Sequence, residues 1–135
     1  GVKIAVGKVD APYLSDPEYN LSNRFHAHVE PFEADIVLSD NEEFTVGDIT
    51  VKALQTSGHT KGGMCYLMED KLFSGDTLFF ETIGSTDFDG GNMRELINSI
   101  GRLLQLGDNI KVYPGHGEAT TIGHEKRYNM FLRNL

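Results

Sequence analysis

The chain has 135 residues, 39% of them hydrophobic and 24% charged, with a formal net charge of −8. That length and apolar content fit one domain, residues 1–135, with a real core, and exclude wholesale disorder. No apolar run approaches the roughly 18 residues of a membrane span, Gly1–Val6 is too short for a signal h-region, and Lys and Arg form no stripe, so neither membrane nor nucleic acid is an expected partner.

Val2–Val6 is β-rich and partly alternating, which predicts a short opening strand. A turn-rich stretch with Pro12 and Pro17 follows, in which Asp10 is placed to cap a brief helical turn over Ala11–Leu14. Residues 20–42 carry the weakest periodic signal. Phe44–Val46 and Ile49–Leu54 flank Gly47-Asp48 as a hairpin, and Met64–Met68 and Lys71–Phe73 flank Glu69-Asp70 as a second. Asn92 opens the clearest helix, with Glu95 three residues on as a capping box. Met93, Leu96, Ile97, Ile100, Leu103 and Leu104 recur at helical spacing, and Gly107 is a fitting terminator. Ile110–Tyr113 reads as a buried strand, and a last helix starts near Thr121 and runs toward Asn129. Mixed strands and helices with polar residues at strand ends define an α/β sandwich.

Three segments share one design, an apolar strand followed by a glycine and a polar side chain. They are Leu54–Thr60, Leu72–Leu78 and Val112–Gly117, and the residues presented are His59, Asp76 and His116. Glycine in front of each permits a sharp turn that presents the side chain at a sheet edge. Two imidazoles and one carboxylate are a zinc-type donor set. Spacing alone leaves their convergence open. Cys65, amid apolar neighbours in a strand, is expected to be a buried and inert thiol, which leaves a reducing, cytoplasmic location open. His124, near the start of the last helix, is expected to make a structural hydrogen bond.

Ser57-Gly58-His59-Thr60-Lys61-Gly62, Phe73-Ser74-Gly75-Asp76-Thr77-Leu78-Phe79, Tyr113-Pro114-Gly115-His116-Gly117 and the tail Thr120–Asn129 resemble, in order, the later motifs of the metallo-β-lactamase superfamily. The tail is similar to the glyoxalase II-like branch, the hydroxyacylglutathione hydrolases and their relatives. The resemblance implies an αββα sandwich with a metal site at one edge, and it covers essentially Val2–Leu132. It further implies that His59 ligates one metal, His116 another, and Asp76 bridges both, with zinc the expected ion and iron or manganese the alternatives. Ser57 and Lys61 stand where the family commonly has proline, as does Met130.

The family's His-x-His-x-Asp-His signature, which supplies four further ligands, does not occur in this sequence. The chain therefore resembles the C-terminal portion of such a hydrolase, an incomplete sandwich. Phe25-His26-Ala27-His28-Val29-Glu30 offers a degenerate substitute, since residues i and i+2 of an extended chain face one side. His26 and His28 are then either two solvated histidines in an acidic loop or an additional metal pair. By resemblance, the chemistry is metal-assisted hydrolysis of a thioester or related ester, with Asp76 orienting the attacking water. Phe79, Phe80 and Phe88 are available to wall a pocket, with core packing expected for at least two of them. The competing reading is a non-catalytic, metal-binding or self-associating fragment that dimerises through exposed sheet edges. No Gly-x-Ser-x-Gly elbow or phosphate-binding glycine loop is present, which disfavours a serine hydrolase or a nucleotide binder.

Overall fold

A computed structural model describes every residue from Gly1 to Leu135. Its strands are β1 (Ala5–Gly7), β2 (Ile36–Leu38), β3 (Glu43–Val46), β4 (Ile49–Gln55), β5 (Met64–Met68), β6 (Lys71–Gly75), β7 (Leu78–Phe79), β8 (Thr82–Ile83), β9 (Lys111–Pro114) and β10 (Thr120–Thr121). Its α-helices are α1 (Met93–Leu103) and α2 (Ile122–Tyr128). Six strands form the main sheet in the order β10-β9-β6-β5-β4-β3, while β1-β2 and β7-β8 make two small separate pairs.

The register of the main sheet explains where the functional loops go. β4 and β6 are each antiparallel to β5, so they run in the same direction, and β9 is parallel to β6. The C-terminal ends of β4, β6 and β9 therefore leave the sheet at one edge. These are the strands that precede His59, Asp76 and His116. Topology, not spacing in the sequence, brings them together.

One face of this sheet carries the core. Leu54, Cys65, Leu72 and Val112 from the strands meet Leu96, Ile100 and Leu103 of α1, and Ile122 of α2 seals the end near Leu132. α1 forms here because its apolar residues fall on one stripe and both ends are capped. The Asn92 side chain accepts a hydrogen bond from the Glu95 amide, and a short 3-10 turn over Leu104–Leu106 ends at Gly107, with φ 120°. The opposite face is an open apolar groove lined by Phe44, Val51, Tyr66, Met68 and Phe73, with Ala5 reaching it from β1.

Most expected elements are present within a residue or two, with differences that have physical causes. The opening strand is Ala5–Gly7, not Val2–Val6, because its parallel partner Ile36–Leu38 begins opposite Ala5, and Val2 is left in solvent. A single 3-10 turn occupies Ala11–Leu14 as expected, but the Asp10 side chain makes no capping bond. Asp10 instead faces Gly62, where a Cβ would collide with its carboxylate, and burial pushes its carboxyl pKa upward. The two-stranded hairpin β7-β8 was not anticipated, since each strand is too short to show a period.

Candidate metal centre

His59 sits in a tight loop closed by the Thr56 amide donating to the Gly63 carbonyl at 2.8 Å. The loop lies directly on the start of α1. The Asn92 amide donates to the Gly58 carbonyl at 2.8 Å, and the Ser99 hydroxyl donates to the Ser57 carbonyl at 2.7 Å. Gly58 has φ 141°, and a Cβ there would fall 2.3 Å from the Leu96 Cα. Only glycine permits this approach.

Asp76 follows β6 across an irregularity between Phe73 and Gly75, which turns the chain out of the sheet. The Gly115 amide donates to the Gly75 carbonyl at 2.7 Å and locks the His116 loop to the Asp76 loop. A Cβ on Gly115 would stand 2.7 Å from Asp76 Oδ1.

The three side chains meet around the Asp76 carboxylate. His116 Nδ1 donates to Asp76 Oδ1 at 2.9 Å, and His59 Nε2 lies 3.6 Å from Asp76 Oδ2. His59 Nδ1 is 2.7 Å from the Ser85 carbonyl, which only accepts, so Nδ1 donates there and Nε2 is the nitrogen turned toward Asp76. Fixing one ring nitrogen on a backbone carbonyl is how metal-ligating imidazoles are held. Two ligands of a tetrahedral ion at about 2.1 Å stand roughly 3.4 Å apart, so the His59–Asp76 separation suits a shared ion. The His116–Asp76 contact is a direct hydrogen bond that must lengthen for both groups to face one cation. No group of three His, Cys, Asp or Glu side chains is gathered into a finished metal cage as the chain stands. The three side chains are of the zinc-binding type, and Asp76 offers an oxygen toward each imidazole.

His26 and His28 are not brought to this centre. His26 lies at the end of a turn with φ 52°, so the extended geometry that would align it with His28 is not formed. His28 Nε2 pairs with Glu30 at 2.6 Å, both side chains being 84% exposed. Neither histidine bonds to His59, Asp76 or His116.

Other expectations resolve clearly. Cys65 is fully buried, and desolvation pushes its thiol up to about 11. His124 Nε2 donates to Glu81 Oε1 at 2.9 Å while its ring stacks on Phe80. Core packing for two of the three phenylalanines is overturned. Phe80 and Phe88 are 36% and 62% exposed, and none of the three belongs to the buried cluster. Phe79 and Phe80 line a cleft beside His116, and Phe88 lines a cavity at His59 with Arg24. Phe79 is turned away from the core because Leu78 occupies the inward position of its short strand, while Phe80 and Phe88 lie in the turn and loop beyond it.

Sequence reading missed Ser85 and Glu125. Ser85 acts through its carbonyl, which leaves no residue-type signal. Glu125 is fully buried, although a charged side chain on a short amphipathic helix predicts exposure.

A mixed sheet with helices on one face and three strand-end loops converging on a His–Asp–His edge defines an α/β protein of the metal-binding sandwich type. The chain belongs to the metallo-beta-lactamase superfamily, whose sequence profile matches residues 1–116. It is 40% identical over 90% of its length to an uncharacterized protein of Mycobacterium leprae, of which it spans 61%. It is also 39% identical over 74% of its length to the probable polyketide biosynthesis zinc-dependent hydrolase PksB of Bacillus subtilis, spanning 44% of that protein. Among solved structures, the BLEG-1 B3 metallo-beta-lactamase superposes with a TM-score of 0.88 at 35% identity, covering 97% of this chain and 65% of that one. The chain thus spans less than two thirds of these proteins, and its fold is the corresponding part of the αββα sandwich.

Proposed function

We propose that this chain is part of a zinc-dependent hydrolase of thioesters or related esters, of the glyoxalase II-like branch. The observation that carries the reading is the meeting of His59, Asp76 and His116 at one sheet edge. The similarity to PksB, whose name describes a zinc-dependent hydrolase, supports zinc as the ion. His59, Asp76 and His116 would hold it. A bound zinc ion supplies Lewis acidity, polarising an ester carbonyl and making a nearby water acidic enough to ionise near neutral pH.

The chain's own residues do the rest. The Ser85 carbonyl accepts from His59 Nδ1 and so holds the ring with Nε2 toward the site. Asp76, an acceptor between two imidazoles, orients the hydrogen of an attacking water. His116 donates through Nδ1 to Asp76, which holds that carboxylate in place between the two imidazoles. Buried Thr56, Ser74 and Thr77 behind the loop are all hydrogen-bonded, which fixes the platform.

The zinc-loaded chain is expected to hydrolyse acyl thioesters slowly, with loss on chelation and in H116A. Zinc binding without any chelator-sensitive hydrolysis would contradict the catalytic part. A second reading, a self-associating metal-binding fragment, is favoured by the open apolar face of the main sheet. It predicts a homodimer in analytical ultracentrifugation whose dissociation follows substitution of Phe44 or Met68 by a charged residue. A cytoplasmic site of action accords with the single free, buried thiol.

A further inference from the structure

A cleft of about 420 Å³ opens beside His116, walled by Phe79, Phe80 and Ile83, with Glu118 at its rim. We propose that this cleft is a specificity subsite for an uncharged aryl-bearing group, the acyl side of a substrate whose carbonyl lies against His116 and Asp76. The word acyl rests on the hydrolase reading; the affinity for an apolar group does not.

The cleft is built. In the β7-β8 hairpin Leu78 pairs with Ile83 and Phe79 with Thr82, and Leu78 is fully buried. Alternation then turns Phe79 outward, where its ring centre lies 6.1 Å from that of His116. Phe80 is held by stacking on His124 at 5.0 Å and 19°. The turn between the strands is anchored from below by the tail motif. Both carboxylate oxygens of buried Glu125 accept from the Glu81 amide, at 2.9 and 3.2 Å. Asn129, also buried, donates to the Thr82 carbonyl at 3.1 Å and to Glu125 at 2.8 Å, and Thr120 donates to Glu125 at 2.7 Å.

This arrangement spends a buried, cation-free carboxylate on fixing a two-residue turn in which Glu81 has φ 56°. Burying a carboxyl group is costly unless it is hydrogen-bonded, and here the Glu81 amide of the turn and the Thr120 and Asn129 side chains of the tail satisfy it together, which ties the turn rigidly to the tail. The rigid turn displays two aromatic rings next to a donor of the candidate centre. Preorganised apolar walls of this kind reduce the entropy lost when a ligand docks. A cavity of about 150 Å³ already accepts benzene, so the cleft has room for a ring and a short linker. The Glu118 carboxylate disfavours an anionic group in the same place. Glu125 is a positioning residue, acting on the substrate only through the Phe79–Phe80 wall.

The test is a backbone-amide NMR titration of the whole metal-free chain with phenylacetamide, acetamide and phenylacetate. Phenylacetamide is expected to shift residues 79–83 and 116–118 saturably, with acetamide and phenylacetate each weaker by about tenfold or more. F79A should weaken phenylacetamide roughly tenfold while leaving the spectrum of the buried cluster unchanged. E118Q should restore phenylacetate. E125Q should weaken phenylacetamide through an altered turn, with shifts centred on Glu81. No saturable shift, shifts confined to the Phe44–Met68 groove, or unchanged affinity in F79A would overturn the subsite. The probe is neither hydrolysed nor metal-dependent, so failure of the hydrolase reading leaves this result intact. Conversely, a zinc-loaded chain that hydrolyses acetyl and phenylacetyl thioesters equally would overturn the subsite alone.

Discussion

The two faces of the main sheet are made of similar side chains and fare differently. On the helix side, Leu54, Leu72 and Val112 are buried against α1 and α2. On the other side, Phe73 and Tyr113 stack on one another yet remain 39% and 37% exposed. The difference teaches that a strand's apolar alternation specifies two buried faces, while the chain covers the second only in part, at Val51 and Ala53. The edge where the candidate centre forms is fixed by the covered face, since α1 carries the His59 loop and α2 anchors the wall beside His116.

The largest effects should fall on the covered face. Leu96→Ala should cost about 2–5 kcal/mol in urea unfolding, whereas Met68→Ser on the open groove should cost less than about 1 kcal/mol and reduce self-association. Equal losses at both positions would show that the open face is as well packed in solution as the core. Gly58→Ala should come next. Its Cβ has no space against Leu96 and its φ is unfavourable, so about 1–3 kcal/mol should be lost together with measurable displacement of His59 resonances. A neutral result there would separate the loop from the helix.

A smaller effect concerns acid. Asp40 is opposed by partial desolvation, but bonds from the Gln55 amide and Arg102 prevail and hold its carboxyl below the usual value. Its contribution is therefore present above the unfolded carboxylate's pKa of about 3.9 and is lost as pH falls through the lower folded value. The site is largely exposed, so Asp40→Asn should flatten this acid limb by no more than about 1 kcal/mol. The smallest perturbation is chemical. Native Cys65 should resist thiol reagents at neutral pH and react only on unfolding, since desolvation keeps it protonated.

Legibility in the sequence followed the same division. α1, the β3-β4 and β5-β6 hairpins and β9 were readable because each carries a full period and its own turn or cap signal. The Gly-flanked His59, Asp76 and His116 were readable as candidates because strand, turn and donor recur three times. Residues 20–42 were not, since turns there are held by local side-chain bonds such as Asn20 to the Tyr13 carbonyl. The extended reading of His26 and His28 failed for a related reason: nothing pairs with that segment to keep it extended. Glu125 and Ser85 stayed hidden because their roles depend on partners 44 and 26 residues away.

Calorimetric titration of Zn²⁺ into the chain and into H59A, D76N and H116A tests the central claim most directly. The account predicts one equivalent bound by the unsubstituted chain and at least about tenfold weaker binding in each variant. Zinc affinity that is undetectable, or that survives all three substitutions unchanged, would contradict it.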